Sequence, residues 1–419
     1  MNENDRAITA LVMVAHGLVH TYELTLPILA VETVWQAAFP ATTLPGLGTV
    51  PTTLFVLGLV VSAGYALFGL GALPGGVLAD AYGSRPLIVA CLLGMGGSFV
   101  LLAFAPSLPV VALCLVVWGA AASVYHPAGL ALISKGVEER GTAFAYHGIA
   151  GNVGIALGPL AAAILLLVFG DWRLTVGILG VPALLAAGYA LRVDVDETAA
   201  STAADGGDAR ASGSVSSLAE FLADSRRLLV GPFLLVFAVV MLSGLYYRGF
   251  LTFLPELLSG FDSLSAVDVA GRTVEPNRYV YVGLLMAGVL GQYVGGRLTD
   301  RIPVERGLAY GYGALGVLAV VYLPVATVGL FPLLAVSALM GVALFVVQPF
   351  YQATVAEYTP PGARGLSYGY TYLGVFGVGA LGGAVAGGIL TVATSTALFA
   401  TLAVFGFLAG GIGLYLART

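Results

Sequence analysis

The sequence predicts an all-α membrane protein of twelve transmembrane helices in two parallel six-helix halves. Three observations carry that expectation. The chain of 419 residues is 59% hydrophobic and only 9% charged, with a mean hydropathy of +0.97, whereas a soluble domain carries roughly 25% charged residues. Its apolar residues fall in windows of about 20, the length that crosses a hydrocarbon core of roughly 30 Å. Finally, one phrase occurs twice. Gly75-Gly76-Val77-Leu78-Ala79-Asp80, followed by Tyr82, Gly83 and Arg85, returns as Gly295-Gly296-Arg297-Leu298-Thr299-Asp300, followed by Arg301.

The windows run over 7–31, 53–73, 86–105, 109–133, 142–169, 173–192, 228–254, 278–298, 307–325, 330–356, 365–393 and 396–417. Lipid leaves no partner for an open backbone, so each is expected to be helical. Many are rich in Gly and Ala, the residues that let membrane helices pack closely. The first window is long and interrupted by His and Glu, so no cleavable signal peptide is expected. Cys91 and Cys114 both lie inside windows and read as small core residues rather than a disulfide.

The basic residues orient the spans. With even-to-odd loops inside, thirteen of the 17 Lys and Arg residues fall inside: Arg6, Arg85, Lys135, Arg140, Arg192, Arg210, Arg226, Arg227, Arg297, Arg301, Arg306, Arg364 and Arg418. Arg173, Arg272 and Arg278 fall outside, and Arg248 lies within a span. This asymmetry places both termini in the cytoplasm and the chain in the cell membrane as a multi-pass protein. Residues 193–227, acidic and rich in Ala, Ser and Gly, read as a flexible cytoplasmic linker between the halves 1–192 and 228–419, with a short amphipathic helix over 215–227. The polar outer segment 256–277 shows no counterpart in the other half.

Further landmarks repeat. His126-Pro127 corresponds to Gln348-Pro349, Arg140-Gly141 to Arg364-Gly365, and Gly158 to Gly382. Their nearly constant offset argues for duplication with both halves in the same orientation. In the repeated phrase, Gly76 and its counterpart Gly296 are expected to let helices approach. Asp80 sits at a helix end, with Arg85 as its partner across a turn at Gly83; Asp300 and Arg301 are the equivalents. Such contacts would hold one state of a carrier and break in the other. A generic helix end in the headgroup zone is the alternative, which two copies in register disfavour.

Ionisable groups at membrane depth are costly and mark a pathway by default. His16, His20 and Glu23 share one face of span one through spacings of four and three. Span four adds His126, span five His147, span seven Arg248, and span ten Gln348 and Gln352; all four histidines lie in apolar windows. Three readings remain open. The groups line a substrate and proton pathway, with Glu23 and a histidine exchanging a proton and Arg248 holding an anion. Or they are helix–helix hydrogen bonds. Or His16, His20 and Glu23 hold a metal, which four histidines in all make the weakest of the three, so no metal is expected. Gly154, Gly158 and Pro159 in span five offer a small-residue packing face at a bend.

The repeated loop phrase, one copy per half, resembles the loop signature of major facilitator transporters. Gly154, Gly158 and Pro159 resemble the glycine–proline motif of that superfamily's antiporters, although Ala161-Ala162 replace its terminal glycine pair. Within the superfamily, Tyr125-His126-Pro127-Ala128-Gly129, Gly151-Asn152-Val153-Gly154 and Tyr247-Arg248-Gly249-Phe250-Leu251-Thr252-Phe253-Leu254-Pro255 resemble the fosmidomycin-resistance-like efflux branch, as does a His-containing stretch leading to Leu26-Pro27. That branch tends to carry an acid soon after its histidine; here His20 stands there and Glu23 follows a turn later. The resemblance implies proton-coupled export of a small, anionic compound by alternating access.

The expected function is therefore secondary active transport. Its partners would be a small molecule, protons and the bilayer, with no nucleic acid, no cofactor and a monomeric state. No Walker-type phosphate loop is present, so ATP drive within the chain is not expected, nor is enzyme activity. A proton-coupled importer and a non-transporting membrane receptor or sensor on the same fold are the rivals.

Overall fold

A computed structural model of the chain describes residues 1–44, 48–200, 218–360 and 364–418. Among them, eleven helices are long and apolar enough to cross a membrane: Glu3–Leu29, Ser84–Leu102, Leu108–Gly136, Arg140–Phe169, Trp172–Arg192, Phe233–Ser259, Pro276–Thr299, Val304–Ala326, Leu330–Glu357, Leu366–Val392 and Ser395–Leu416. The pair Leu54–Leu70 and Ala72–Tyr82, bent by 45°, completes twelve when taken as one broken span. In chain order these are spans one to twelve, and the broken pair is span two. The segment read as a flexible linker lies, over 201–217, outside the described residues. Beyond it a helix runs over Leu218–Val230.

The helix ends follow local chemistry. Gly170, at φ 64°, ends span five in the left-handed conformation that glycine adopts without a Cβ clash. The Asp171 carboxylate then accepts from the amides of Arg173 (2.7 Å) and Leu174 (3.2 Å), starting span six. Large apolar side chains stand exposed on the flanks, among them Leu101, Leu113 and Leu185 early in the chain and Phe331, Leu339 and Val392 late in it. Exposed to water such surface would cost roughly 25 cal/mol per Å²; in lipid the surroundings are equally apolar.

The chain divides into two compact units: residues 1–25 with 63–221, and residues 26–62 with 222–419. The second unit thus includes the C-terminal end of span one and the start of span two. There Ser62 Oγ donates to the Ala380 carbonyl at 2.6 Å and accepts from the Ala384 amide at 3.1 Å, tying span two to span eleven.

Two short antiparallel hairpins stand outside the helices. One pairs Ala41–Leu44 with Gly48–Pro51, after span one; the other pairs Val267–Val269 with Arg272–Val274, after span seven. The polar segment 256–277 therefore does have a counterpart, contrary to the sequence reading. The hairpins share backbone pairing rather than side chains, so residue comparison could not find it. The second turns on Ala270 and Gly271, both at positive φ (52° and 76°), as a two-residue hairpin turn demands.

Candidate functional site

In the first unit, span one carries a continuous chain of polar contacts. Glu23 Oε2 lies 2.5 Å from His20 Nδ1, His20 Nε2 lies 3.1 Å from His16 Nε2, and His16 Nδ1 lies 2.7 Å from the His147 carbonyl on span five. Glu23 is 2% exposed and His20 13%. The spacings read from the sequence thus bring His16, His20 and Glu23 together. The structure adds His147, stacked on His16 with ring centroids 3.7 Å apart, and His126, edge-on to His16 at 5.2 Å.

Tyr65, which the sequence reading passed over, and several residues it quoted only within motifs hold this cluster. Pro27 has no N–H, so the Glu23 carbonyl lacks its helical donor four residues on; the Tyr65 hydroxyl of span two supplies one at 2.6 Å. Tyr125, stacked on His16 at 5.5 Å, anchors its hydroxyl on the Val12 carbonyl at 2.5 Å. Gly151 makes room for the His16 ring: a Cβ there would come within 2.5 Å of it. Spans one and five cross backbone to backbone, since a Cβ on Gly154 would lie 2.0 Å from the Gly17 carbonyl oxygen and one on Gly158 would lie 2.5 Å from that of Thr21. The small-residue face expected in span five is this crossing.

The nitrogens of His16, His20 and His126 lie within 4.8 Å of one another. A tetrahedral ion with bonds of about 2.0–2.1 Å needs ligand nitrogens roughly 3.3 Å apart. The His20 and His16 Nε2 atoms, 3.1 Å apart, are near that spacing, and an ion between them would replace their direct contact.

In the second unit, Arg248 of span seven is 2% exposed. Its guanidinium carbon lies 5.4 Å from the Tyr247 ring centroid and 5.7 Å from that of Phe376, a cation held against two aromatic faces. Phe376 belongs to a π-helical segment, Leu373–Val378, inside span eleven. Such segments recur at functional sites. Gln348 on span ten is half-buried, while Gln352 is exposed.

The duplication persists in the packing. Gly158 meets the Thr21 carbonyl in the first unit, and Gly382 meets the Leu245 carbonyl in the second, where a Cβ would lie 2.4 Å away. Both residues of this pair are displaced by the same 224 positions (382 − 158 and 245 − 21). In that register Glu23 corresponds to Tyr247 and Leu24 to Arg248. Each half therefore carries its ionisable group at the same level of its first helix, a carboxylate in one and a guanidinium in the other.

The repeated loop phrase is built differently from the sequence reading. The close approach is made by Gly75 rather than Gly76. A Cβ on Gly75 would lie 3.2 Å from Pro127, while Gly76 and Gly296 face open space. In the second copy Gly295 makes the approach, 2.4 Å from the Val346 carbonyl oxygen. The first glycine of each pair turns to the neighbouring helix because it lies one turn past Gly71 and Gly291, which also pack there. The expected Asp80–Arg85 pair is replaced as well. Asp80 meets Lys135 at 2.8 Å, both half exposed. Gly83, at φ 84°, turns the chain so that Arg85 Nε and Nη2 donate to the Ala190 and Leu191 carbonyls, each at 2.9 Å. Those carbonyls end span six, where a cation is favoured. Glu197 in turn accepts from the Ser84 and Arg85 amides at 2.7 and 2.9 Å, capping span three. Nearby, the Thr198 amide and hydroxyl hold the Asp196 carboxyl below the usual range. Among the described residues no ion pair includes Asp300 or Arg301.

The family model described as Major Facilitator Superfamily matches residues 24–382. The chain belongs to this superfamily. It is 28% identical over 319 residues to the uncharacterized MFS-type transporter YfnC of Bacillus subtilis (strain 168), covering 74% of this chain and 70% of that one. It is 41% identical over 104 residues to an uncharacterized MFS-type transporter of Mycobacterium tuberculosis, a match spanning 24% of each chain. A match to a puromycin resistance protein of Streptomyces alboniger is 37% identical over 117 residues, or 27% of this chain and 23% of that one. Among solved structures, a mutant of the nucleoside transporter NupG superposes with a TM-score of 0.73 at 14% identity, covering 98% of this chain and 99% of that one. The peptide transporter POT in complex with sulfate gives 0.70 at 15% identity, covering 99% and 94%. At such identities the solved structures show the fold alone, a multi-pass helical fold of the major facilitator kind.

Proposed function

We propose that this protein is a secondary active exporter that exchanges a small organic compound for protons by alternating access. The reading rests on one observation above all: a carboxylate buried to 2% exposure at membrane depth whose hydrogen-bond partner is a histidine, a side chain that can both give and take a proton. A structural hydrogen bond needs no titratable pair at this depth, and a proton carrier does. Arg248, buried in the second unit at the register of the acidic site, is the group that would hold an anionic substrate. The fosmidomycin-resistance-like phrases and the match to a puromycin resistance protein support export. Gln348, Gln352, His126 and His147 would complete the pathway.

The test uses purified protein in proteoliposomes with a pH-sensitive dye trapped inside. Fosmidomycin, a phosphonate anion, and puromycin, an amine, serve as probes. Movement of either compound against its gradient when a pH gradient is imposed, with matching dissipation of that gradient, is the expected result. Compound movement indifferent to the pH gradient would remove the coupling. Orientation is checked separately: a single cysteine in 261–275 should react with an impermeant thiol reagent in intact cells, and one in 201–217 should not. The reverse pattern would overturn the cytoplasmic placement of the termini.

The inner loop contacts would hold one conformational state. An exposed ion pair is worth about 0–1 kcal/mol, so Asp80→Asn should leave the protein folded. It should slow turnover several-fold at unchanged binding of the probe. Aggregation on gel filtration would instead make Asp80 a structural residue, and an unchanged rate would make it no latch.

A further inference from the structure

We infer that Glu23, His20 and His16 form a relay holding a single mobile proton, shared across the His20–His16 contact, and that the described geometry is its loaded state. The inference rests on the proton-coupled reading above and says where that proton sits. Three contacts run along the chain: Glu23 to His20, His20 to His16, and His16 to the His147 carbonyl. Each needs one hydrogen. An ionised carboxylate has none to give, a carbonyl oxygen only accepts, and a neutral imidazole carries one N–H. Two neutral rings and a carboxylate therefore supply two hydrogens for three contacts. The His147 carbonyl fixes the hydrogen of His16 on Nδ1, and the Glu23 carboxylate fixes that of His20 on Nδ1. Two nitrogen lone pairs would then face each other at 3.1 Å. The missing hydrogen is one added proton, on His20 Nε2 and donated to His16 Nε2.

The same proton count is met when Glu23 carries a proton on Oε2, His20 accepts it at Nδ1, and His20 donates from Nε2. The two arrangements differ by movement of hydrogens along existing contacts, with no heavy-atom change. His20 is thus a relay between Glu23 and His16. One added proton also balances the charge of Glu23, leaving the set neutral in a medium that penalises net charge.

The surroundings permit one such charge. His147 stacks on His16 at 3.7 Å, and His126 lies 5.2 Å from His16 and 5.6 Å from His20, so a second imidazolium would meet a like charge at ring-contact distance. The other titratable groups packed here are Tyr125 of span four and Tyr65 of span two, whose hydroxyls donate to backbone carbonyls. Loss of the proton leaves the two Nε2 lone pairs opposed. His16 packs against both His147 and Tyr125 and is bonded to span five, whereas His20 is the more exposed ring, at 13%. His20 is the ring that swings away on release.

The experiment is 15N nuclear magnetic resonance of histidine-labelled protein in liposomes, after treatment with EDTA. The chain has four histidines, and His16→Gln and His20→Gln assign the pair. The expected result is one proton lost from His16 and His20 together, in a single transition, as pH rises. Glu23→Gln removes the balancing negative charge, so this transition should move to lower pH by a unit or more. In His16→Gln the amide nitrogen carries two hydrogens and can donate one to the His147 carbonyl and the other to His20 Nε2 without any added proton, so the shared step should vanish. Independent transitions for His16 and His20, or no proton on either Nε2 between pH 4 and 9, would overturn the relay. So would signals that change only on adding EDTA, which would assign the gap to a metal ion. If the relay titrates as described but proteoliposomes show no coupled flux, the transport reading fails and the proton site stands. Coupled flux with independent transitions would give the opposite outcome.

Discussion

Glu23→Gln should abolish proton-driven transport while leaving the protein folded and able to bind. Glutamine fills nearly the same space, and its Oε1 can still accept from His20 Nδ1. A hydrogen bond to a charged group contributes about 1.5–3 kcal/mol and a neutral one about half to one and a half. The folded state should therefore lose at most about 1–2 kcal/mol, and gel filtration should show a monodisperse protein. What disappears is the negative charge that balances a proton at this depth. Uphill movement of fosmidomycin or puromycin under a pH gradient should fall at least tenfold, while exchange between equal internal and external pools should persist. Arg248→Ala should divide the effects the other way. Losing a charge-assisted hydrogen bond of that size weakens binding of the anion fosmidomycin roughly 10- to 100-fold and should leave the Glu23-dependent pH response in place. A Glu23→Gln protein that concentrates either compound at the normal rate, with unchanged pH dependence, would show that Glu23 does not carry the proton, and His20 and His126 would be tested next.

How much was legible in the sequence depended on the length scale of the signal. Span number and the shared face of His16, His20 and Glu23 follow from local period and composition, so they could be read directly. The repeat was visible in its glycines, because backbone crossings such as Gly158 on Thr21 and Gly382 on Leu245 leave no room for a Cβ unless the helices shift. Partner choice was not legible. Arg85 turns to the end of span six and Asp80 to Lys135 because of where Gly83 aims the chain, and a sequence shows neither vector nor neighbour. The same holds for Gly75 and Gly76: adjacent glycines look alike until the helix phase is known. Tyr65 was missed for a subtler reason, although a signal existed. A proline four residues after a buried Glu leaves a carbonyl without its donor, so some hydroxyl from another helix is required; only the fold says which.

Gly154→Val should prevent the protein from reaching a stable fold. A Cβ at this position would lie 2.0 Å from the Gly17 carbonyl oxygen, far inside van der Waals contact, and valine adds two methyl groups beyond it. Overpacking against side chains costs about 1–3 kcal/mol because rotamers yield. Here the obstacle is the backbone of span one, which carries the relay, so spans one and five must part along several residues. Parting them also stretches the 2.7 Å contact from His16 to the His147 carbonyl. The loss should exceed about 4 kcal/mol, the range reserved for disruption of a packed backbone or core, and most of the protein should elute as aggregate. Gly154→Ala should fold with a lowered melting temperature and a relay transition displaced in pH. Gly76→Ala is the matched control. Nothing lies within 4 Å of its Cβ position, and alanine favours a helix over glycine by about 1 kcal/mol, so that variant should be at least as stable as the parent. A Gly154→Val protein that is monodisperse and melts with the parent would show that spans one and five do not cross at this glycine. An aggregated Gly76→Ala would return the close approach to the second glycine of the phrase.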